Sequence, residues 1–354
     1  MTKQLLFWSC RLEVINGQNI VTKRVLSNMM NNYQLKHLSY KSGAGGILSV
    51  FKCYIKLFFY LKSVDIFYIV VSRSAIGFLR DLPILVIARL IGKPFVCHAH
   101  GSDLPDLFLT PLIGRLALFL YQNATIVVPS CHLINDLKQF NLNKVFLLEN
   151  FFNVGSKGKY IKKPGMILWN SNLIASKGLF EFLDFAKFCF EAKNSYRFVA
   201  IGKFIGDKTS TKKEVIRRLD EAIDNKWIEY RGIVSVEESI NLSNQAEVVF
   251  LYSHYKSECQ PIAVIQAMCQ GCKLIIAPTS ALKSTVGSYP CIYFNIEQSY
   301  DNLIGAISQV QIPTQEIVNS IERFSSRNFD LILNNIFYEA TNQEIIQRDQ
   351  SVQN

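Results

Sequence analysis

Long apolar runs are missing from this sequence. A membrane-spanning helix needs about 18 or more uninterrupted apolar residues, and the best candidates, "LPILVIARLIG" and "PLIGRLALFLY", are broken by Arg89 and Arg115. Charge is also scarce, at 19% of residues against 49% hydrophobic, which excludes extensive disorder and supports large buried cores. No helix-turn-helix, zinc-finger or ribonucleoprotein pattern occurs, so nucleic acid is not expected as a partner. No DxD-like or His/Cys cluster suggests a metal, and there is neither an internal repeat nor a low-complexity tract. Cysteines number nine, odd and irregularly spaced, as expected of reduced thiols in a cytoplasmic protein. Cys269-Gln-Gly-Cys272 is a lone CxxC with no second pair to complete a zinc site. The opening "MTKQLLFWSC" has a short apolar run without a small-residue cleavage site, and reads as a first strand rather than a signal peptide.

The 354 residues exceed what one core usually serves, so two domains are expected. Short β-rich runs alternate with helix-length segments. The first series is "DIFYIVVS", "KPFVCHAHG", "ATIVVPS" and "KVFLLEN"; the second is "GMILWNS", "YRFVAIG", "WIEYRG", "EVVFLYS" and "KLIIAP". Strand then helix, repeated, predicts parallel sheets, and two series predict two doubly wound, Rossmann-like α/β domains. The join is expected near the Gly/Lys-rich "NVGSKGKYIKKPG", giving domains 1–155 and 156–320, followed by a C-terminal helix and polar tail over 321–354. Ligands of such domains are expected beyond the carboxyl ends of the strands, here facing across an interdomain cleft.

Residues directly after strands therefore matter most. "HYKSECQPIAVIQAMCQG" follows a strand and predicts a turn, then a helix from about Pro261, whose first N–H groups suit an anionic phosphate. Glu258 lies on the turn and Gln266 inside the helix; alone, they read first as a surface Glu and a buried Gln. "MILWNSNLIASKG" ends a strand with Asn170, Ser171 and Asn172 and then delivers Lys177 before another helix, a point charge able to meet a diphosphate.

Together "SNLIASKG", "ECQPIAVIQAMCQG", "HAHGSD", "LLENFFN" and "SRSAIGFLRD", in that family's order over essentially the full chain, resemble the family 4 glycosyltransferases, retaining enzymes of GT-B fold that use nucleotide-sugar donors. The resemblance implies that Glu258 touches the donor sugar and that Gln266, where the family's E-x7-E signature has its second carboxylate, faces the donor ribose. It implies that Lys177 steadies the departing diphosphate, with Gln260, Pro261 and Ile262 beside it, and that Asn172 stands where an arginine is often found. Gly17, in Asn16-Gly17-Gln18, matches the loop approaching the donor phosphates; His100 and Asp103 match the loop facing the reacting sugar. Retention is then expected by attack on the leaving-group face without an enzymic nucleophile; a covalent role for Asp103 or Glu258 is the alternative. No cofactor or metal is implied, and the donor is expected to be a UDP-sugar.

Two departures weigh on activity. An amide at Gln266 removes charge-assisted acceptance from a ribose diol, worth about tenfold in donor affinity. Cys259, where the resembled subgroup has Gly, is expected to constrain the turn. A catalytically weakened subunit that recruits a partner glycosyltransferase therefore stands as the second reading.

Charge is distributed unevenly. Residues 1–155 hold 16 Lys/Arg against 7 Asp/Glu, net +9, and residues 156–354 hold 22 against 21, net +1. "GGILSVFKCYIKLFFYLKSVD" reads either as an in-plane membrane helix, with Lys52 and Lys56 beside Phe51, Tyr54, Ile55, Phe58 and Phe59, or as a packed helix with snorkelling lysines. With Arg80 and other nearby cations, the first domain is expected to face an anionic membrane, at the inner face of the cell membrane, and to take a lipid-linked saccharide acceptor in bacterial surface polysaccharide assembly. His98 is expected to be packed, and His100 to orient the acceptor hydroxyl or relay its proton.

Overall fold

The computed structural model describes residues 2–13, 16–41, 46–152, 161–311 and 321–352, with side chains to 341. Residues 153–160 of the expected join lie outside them. The chain divides into two compact units, Met1–Asn150 with Arg327–Asn354, and Phe151–Ser326.

The first unit runs β1 (Gln4–Cys10), α1 (Gly17–Asn32), β2 (Gln34–Tyr40), α2 (Gly46–Tyr60), β3 (Ile66–Val70), α3 (Ala75–Leu90), β4 (Phe95–His98), α4 (Leu104–Phe108), α5 (Ile113–Tyr121), β5 (Thr125–Val128), α6 (Cys131–Leu137) and β6 (Lys144–Leu147). Its sheet has the order β2-β1-β3-β4-β5-β6, every pair parallel. Strands β3, β4 and β5 are buried throughout, as a parallel sheet covered on both faces requires.

The second unit runs β7 (Lys163–Asn170), α7 (Leu179–Glu191), β8 (Arg197–Ile201), α8 (Lys212–Asp224), β9 (Ile228–Tyr230), α9 (Val236–Gln245), β10 (Ala246–Leu251), α10 (Ile262–Cys269), β11 (Lys273–Ile276), α11 (Ser280–Val286), β12 (Ile292–Tyr293) and α12 (Tyr300–Gln309). Its parallel sheet has the order β12-β11-β10-β7-β8-β9. The core is aromatic-rich: Trp169, Phe182, Phe185, Phe198 and Phe250 pack between sheet and helices.

The last helix, α13 (Ser326–Val352), belongs to the first unit. Asp330 pairs with Arg24 of α1, and the Phe337 ring meets Tyr33 and Tyr68 at centroid distances of 5.7 and 5.8 Å.

Two strands go beyond the sequence expectation. β2, QLKHLSY, is an edge strand whose polar residues alternate weakly, and β12 has only two residues. Each sheet reverses direction once, between β1 and β3 and between β7 and β10. At such switch points the loops beyond the carboxyl ends diverge and leave a crevice.

Candidate functional site

In the second unit the loops after β7 and β10 meet at the switch point. After β7 the chain makes a single 3-10 turn, Ala175–Lys177, and enters α7 through Gly178 at φ 90°. A Cβ at Gly178 would lie 2.5 Å from the Tyr252 carbonyl oxygen, so this crossing of backbones needs glycine. Ser176 is held on three sides. Its hydroxyl and its N–H (3.3 Å) donate to the Asp207 carboxylate, and its carbonyl accepts from the His254 N–H at 2.8 Å. Burial pushes the Asp207 carboxyl up, but donors from Ser176, Ser210 and Thr209 together outweigh it and hold the group below the usual carboxylate range.

Lys177 is thereby aimed at the turn after β10. Its Nζ lies 2.9 Å from Glu258 Oε2, with the two side chains only 15% and 12% exposed. Glu258 also accepts from the Ser253 hydroxyl at 3.1 Å, and Lys177 sits 5.6 Å from the Tyr255 ring centroid. Beyond this pair Gln260 is buried, Pro261 is the N-cap and Ile262 opens α10. The first N–H groups of that helix have no intrahelical acceptor. Cation, carboxylate and helix start therefore share one small region, a set able to bind an anion together with hydroxyl groups. Asn172 is half-buried on the loop after β7.

One expectation is corrected here. Cys259 does not strain its turn: it is absent from the positive-φ residues, and its side chain is buried at 1% exposure. Gln266 is held within the fold. It is 7% exposed, and its Nε2 donates at 2.9 Å to the Ser239 carbonyl, the Ser239 hydroxyl and the Ser243 hydroxyl of α9. Asn170 closes the cluster, accepting from Ser239 Oγ and donating to Ser243 Oγ, both at 3.1 Å. The amide thus ties α10 to α9 and to the end of β7.

In the first unit, Asn16 caps α1 by accepting from the Asn19 N–H at 2.8 Å, and Gly17 is the exposed first residue of that helix. One turn on, the Thr22 hydroxyl donates to the Gln18 carbonyl at 2.8 Å, which leaves it only able to accept from His100 Nε2 at 3.3 Å. His100 is therefore protonated on Nε2, with Nδ1 carrying the lone pair. Burial, then His98, then Arg73 hold its imidazole well below the ordinary histidine value. The His98 ring lies 4.1 Å from it, bonded through Nδ1 to Tyr68 and with Nε2 buried without a hydrogen-bond partner. Asp103 pairs with Arg73 at 2.9 Å, and the guanidinium lies where a Cβ at Gly101 would be 1.2 Å away. The guanidinium thus fills the space beside Gly101, and a carboxylate so paired is a poor covalent nucleophile.

Arg80, half-buried, grips Asp81 with two hydrogen bonds, 2.8 and 2.9 Å, over the Tyr40 ring. Asp81 is buried and also accepts from the Trp8 indole and the Ser72 N–H, so it requires a cation. Lys52 and Lys56 are exposed on α2.

Sequence reasoning passed over Asp207, Ser253, Thr22 and the α9 serines. Only Asp207 left a signal, an Asp with Thr209 and Ser210 close behind it on the loop after β8, the composition of a side-chain-stabilised turn.

The buried histidine pair has a measurable consequence. Burial pushes His98 down from 6.5 to about 3. Such a histidine takes a proton only on unfolding, so its contribution is complete above pH 6.5 and is lost as pH falls from there toward about 3. The slope is about 1.4 kcal/mol per pH unit for this residue alone. Urea denaturation across that window is expected to show the decline, and His98→Gln is expected to flatten it.

No protein-family model matches the chain, and no curated protein matches it. Solved structures do. Anabaena HepE, crystallised with UDP-glucose, is 12% identical with a TM-score of 0.68, covering 95% of this chain and 99% of its own. Sucrose-phosphate synthase from Thermosynechococcus elongatus is 12% identical with a TM-score of 0.63, covering 99% of each chain. A glycosyltransferase from Rickettsia africae is 11% identical with a TM-score of 0.59, covering 99% of this chain and 98% of its own. Among the described residues no helix is long and apolar enough to cross a membrane, and no group of three His, Cys, Asp or Glu side chains could hold a metal ion. What these likenesses establish is the fold: two Rossmann-like α/β units of the GT-B type.

Proposed function

We propose that this chain is a retaining glycosyltransferase of the family 4 kind, moving a sugar from a UDP-sugar to a lipid-linked saccharide at the inner face of the cell membrane, in bacterial surface polysaccharide assembly. The observation that carries the reading is the Lys177–Glu258 pair beside the start of α10, at the switch point of its sheet. Three solved structures of one neighbour, Anabaena HepE, hold UDP-glucose, UDP with glucose, or UDP, and this supports a UDP-sugar donor.

Breaking a glycosyl–phosphate bond builds negative charge on the diphosphate and positive character on the sugar ring. Lys177 and the N–H groups of α10 serve the first. Glu258 exchanges its lysine partner for sugar hydroxyls and serves the second. Gln266 offers the donor at most its amide oxygen. The departing diphosphate takes the acceptor proton, without a metal in this reading, and the neutral His100 orients the acceptor through its bare Nδ1. Asp103, paired with Arg73, shapes the loop that carries His100.

The commitment of Gln266 to α9 favours one other reading, a subunit that binds a partner glycosyltransferase and turns over little donor itself. Thermal unfolding with nucleoside diphosphates and their sugars separates the two. A ligand at 100 times its Kd adds about 2.7 kcal/mol of stability, and a shift confined to one base is expected. No shift at millimolar concentration would favour the subunit reading.

A further inference from the structure

The helices on one face of the first sheet leave a large apolar surface uncovered. Helices α2, α3 and α4–α5 each carry the chain in the same direction along the order β2-β1-β3-β4-β5-β6. Right-handed crossovers therefore put them on one face of the sheet, while α1, running the opposite way, lies on the other. They touch in sequence: Tyr54 of α2 donates to the Arg80 carbonyl of α3, and Arg89 of α3 donates to the Phe119 carbonyl of α5 at 2.7 Å, its guanidinium over that ring.

Helix α2 packs inward through Cys53, Leu57 and Tyr54, yet is apolar outward as well. Ile47, Leu48, Phe51, Ile55, Phe58 and Phe59 are 47% to 79% exposed. At 100° per residue they form one continuous arc of about 120°, with Lys52 and Lys56 along a single flank. The neighbours extend it through Ile76 and Leu79 of α3 and Leu112, 80% exposed, at the start of α5. A helix apolar on two faces has its second face covered by something other than its own domain.

We infer that this layer is a bilayer-inserting surface, with α2 lying in the headgroup region and its phenylalanines in the acyl boundary. Charge selects the occupant. Across α2, α3 and α5 the only acidic residue is Asp81, which is buried and paired with Arg80, and the short α4 adds one exposed acid, Asp106. Lys52, Lys56, Arg89 and Arg115 carry no acidic counterpart on α2, α3 and α5. A second copy would bring like charges face to face, whereas anionic headgroups complement them. The contact is one of insertion aided by charge, rather than adsorption by charge alone.

Co-sedimentation of the full chain tests this, with vesicles of phosphatidylcholine alone and of phosphatidylcholine mixed with phosphatidylglycerol. Wild type is expected to partition onto the mixed vesicles. Phe51→Ser/Phe58→Ser/Phe59→Ser, altering exposed side chains and so keeping its melting temperature, is expected to lose about a hundredfold in partition. Lys52→Gln/Lys56→Gln is expected to lose about fivefold per lysine on the mixed vesicles and nothing on neutral ones. Wild type remaining in the supernatant, or the triple variant partitioning unchanged, would overturn the inference. So would self-association of wild type, without vesicle binding, that the triple variant abolishes, since the occupant would then be a second copy. The inference rests on the membrane location proposed above; vesicle binding needs neither donor nor acceptor, so its failure would remove that location and leave the sugar-transfer reading standing.

Discussion

Replacing Lys177 by methionine is expected to lower kcat/KM for sugar transfer by about a hundred- to a thousandfold, the usual effect of removing one preorganised donor from a site of developing negative charge. The side chain projects from a turn that Ser176, Asp207 and His254 fix. The substitution also leaves Glu258, 12% exposed, with only the Ser253 hydroxyl as side-chain partner among the described residues. An unpaired, largely buried carboxylate costs stability, so the single variant is expected to melt earlier. Lys177→Met/Glu258→Gln separates the two effects. The double variant should recover the melting temperature, because the stranded charge is gone, and stay inactive. Recovery of both would mean that Lys177 serves the fold and not the reaction.

Glutamate at position 266 is expected to destabilise the protein by about 3 kcal/mol at neutral pH. The motif alone argues the opposite, since it would restore the second carboxylate of the family's signature and about tenfold in donor affinity. The difference lies in what surrounds the side chain. Gln266 Nε2 donates to the Ser239 carbonyl, and a carboxylate oxygen at 2.9 Å from that carbonyl would face another acceptor with no proton between them. The two serine hydroxyls can rotate to donate, but Ser239 Oγ already donates to Asn170. Protonation would restore the bond, so the Gln266→Glu deficit relative to wild type should shrink as pH falls, which chemical denaturation at two pH values would reveal. Unchanged stability with tighter donor binding would show that the amide is an ordinary lost carboxylate.

The fold was legible wherever strands were buried on both faces, because "FYIVV", "TIVV" and "VVFL" announce themselves by β-branched and aromatic content. Polar edge strand β2 and two-residue β12 carry no such mark. Lys177, Glu258 and the start of α10 were readable because each directly follows a strand, and strand ends converge at a switch point by topology alone. The environment of Gln266 was not. Its acceptors, Ser239 and Ser243, lie on a different helix, 27 and 23 residues away, and only packing brings them within 2.9 Å. The partner of Arg80 was hidden for a related reason. Adjacent residues on a helix seldom face each other, and its bond to Asp81 exists because Trp8 and Ser72 fix that carboxylate in the interior. Local sequence shows where a side chain starts; its partners come from the tertiary structure.

The most direct test of the account is transfer itself. Purified wild type and Lys177→Met would each be incubated with radiolabelled UDP-sugars and lipid extracted from bacterial membranes, and label would be counted in the organic phase. Label from one UDP-sugar, present with wild type and lost with Lys177→Met, is the expected result. The absence of label from every UDP-sugar, or equal label with both proteins, would contradict it.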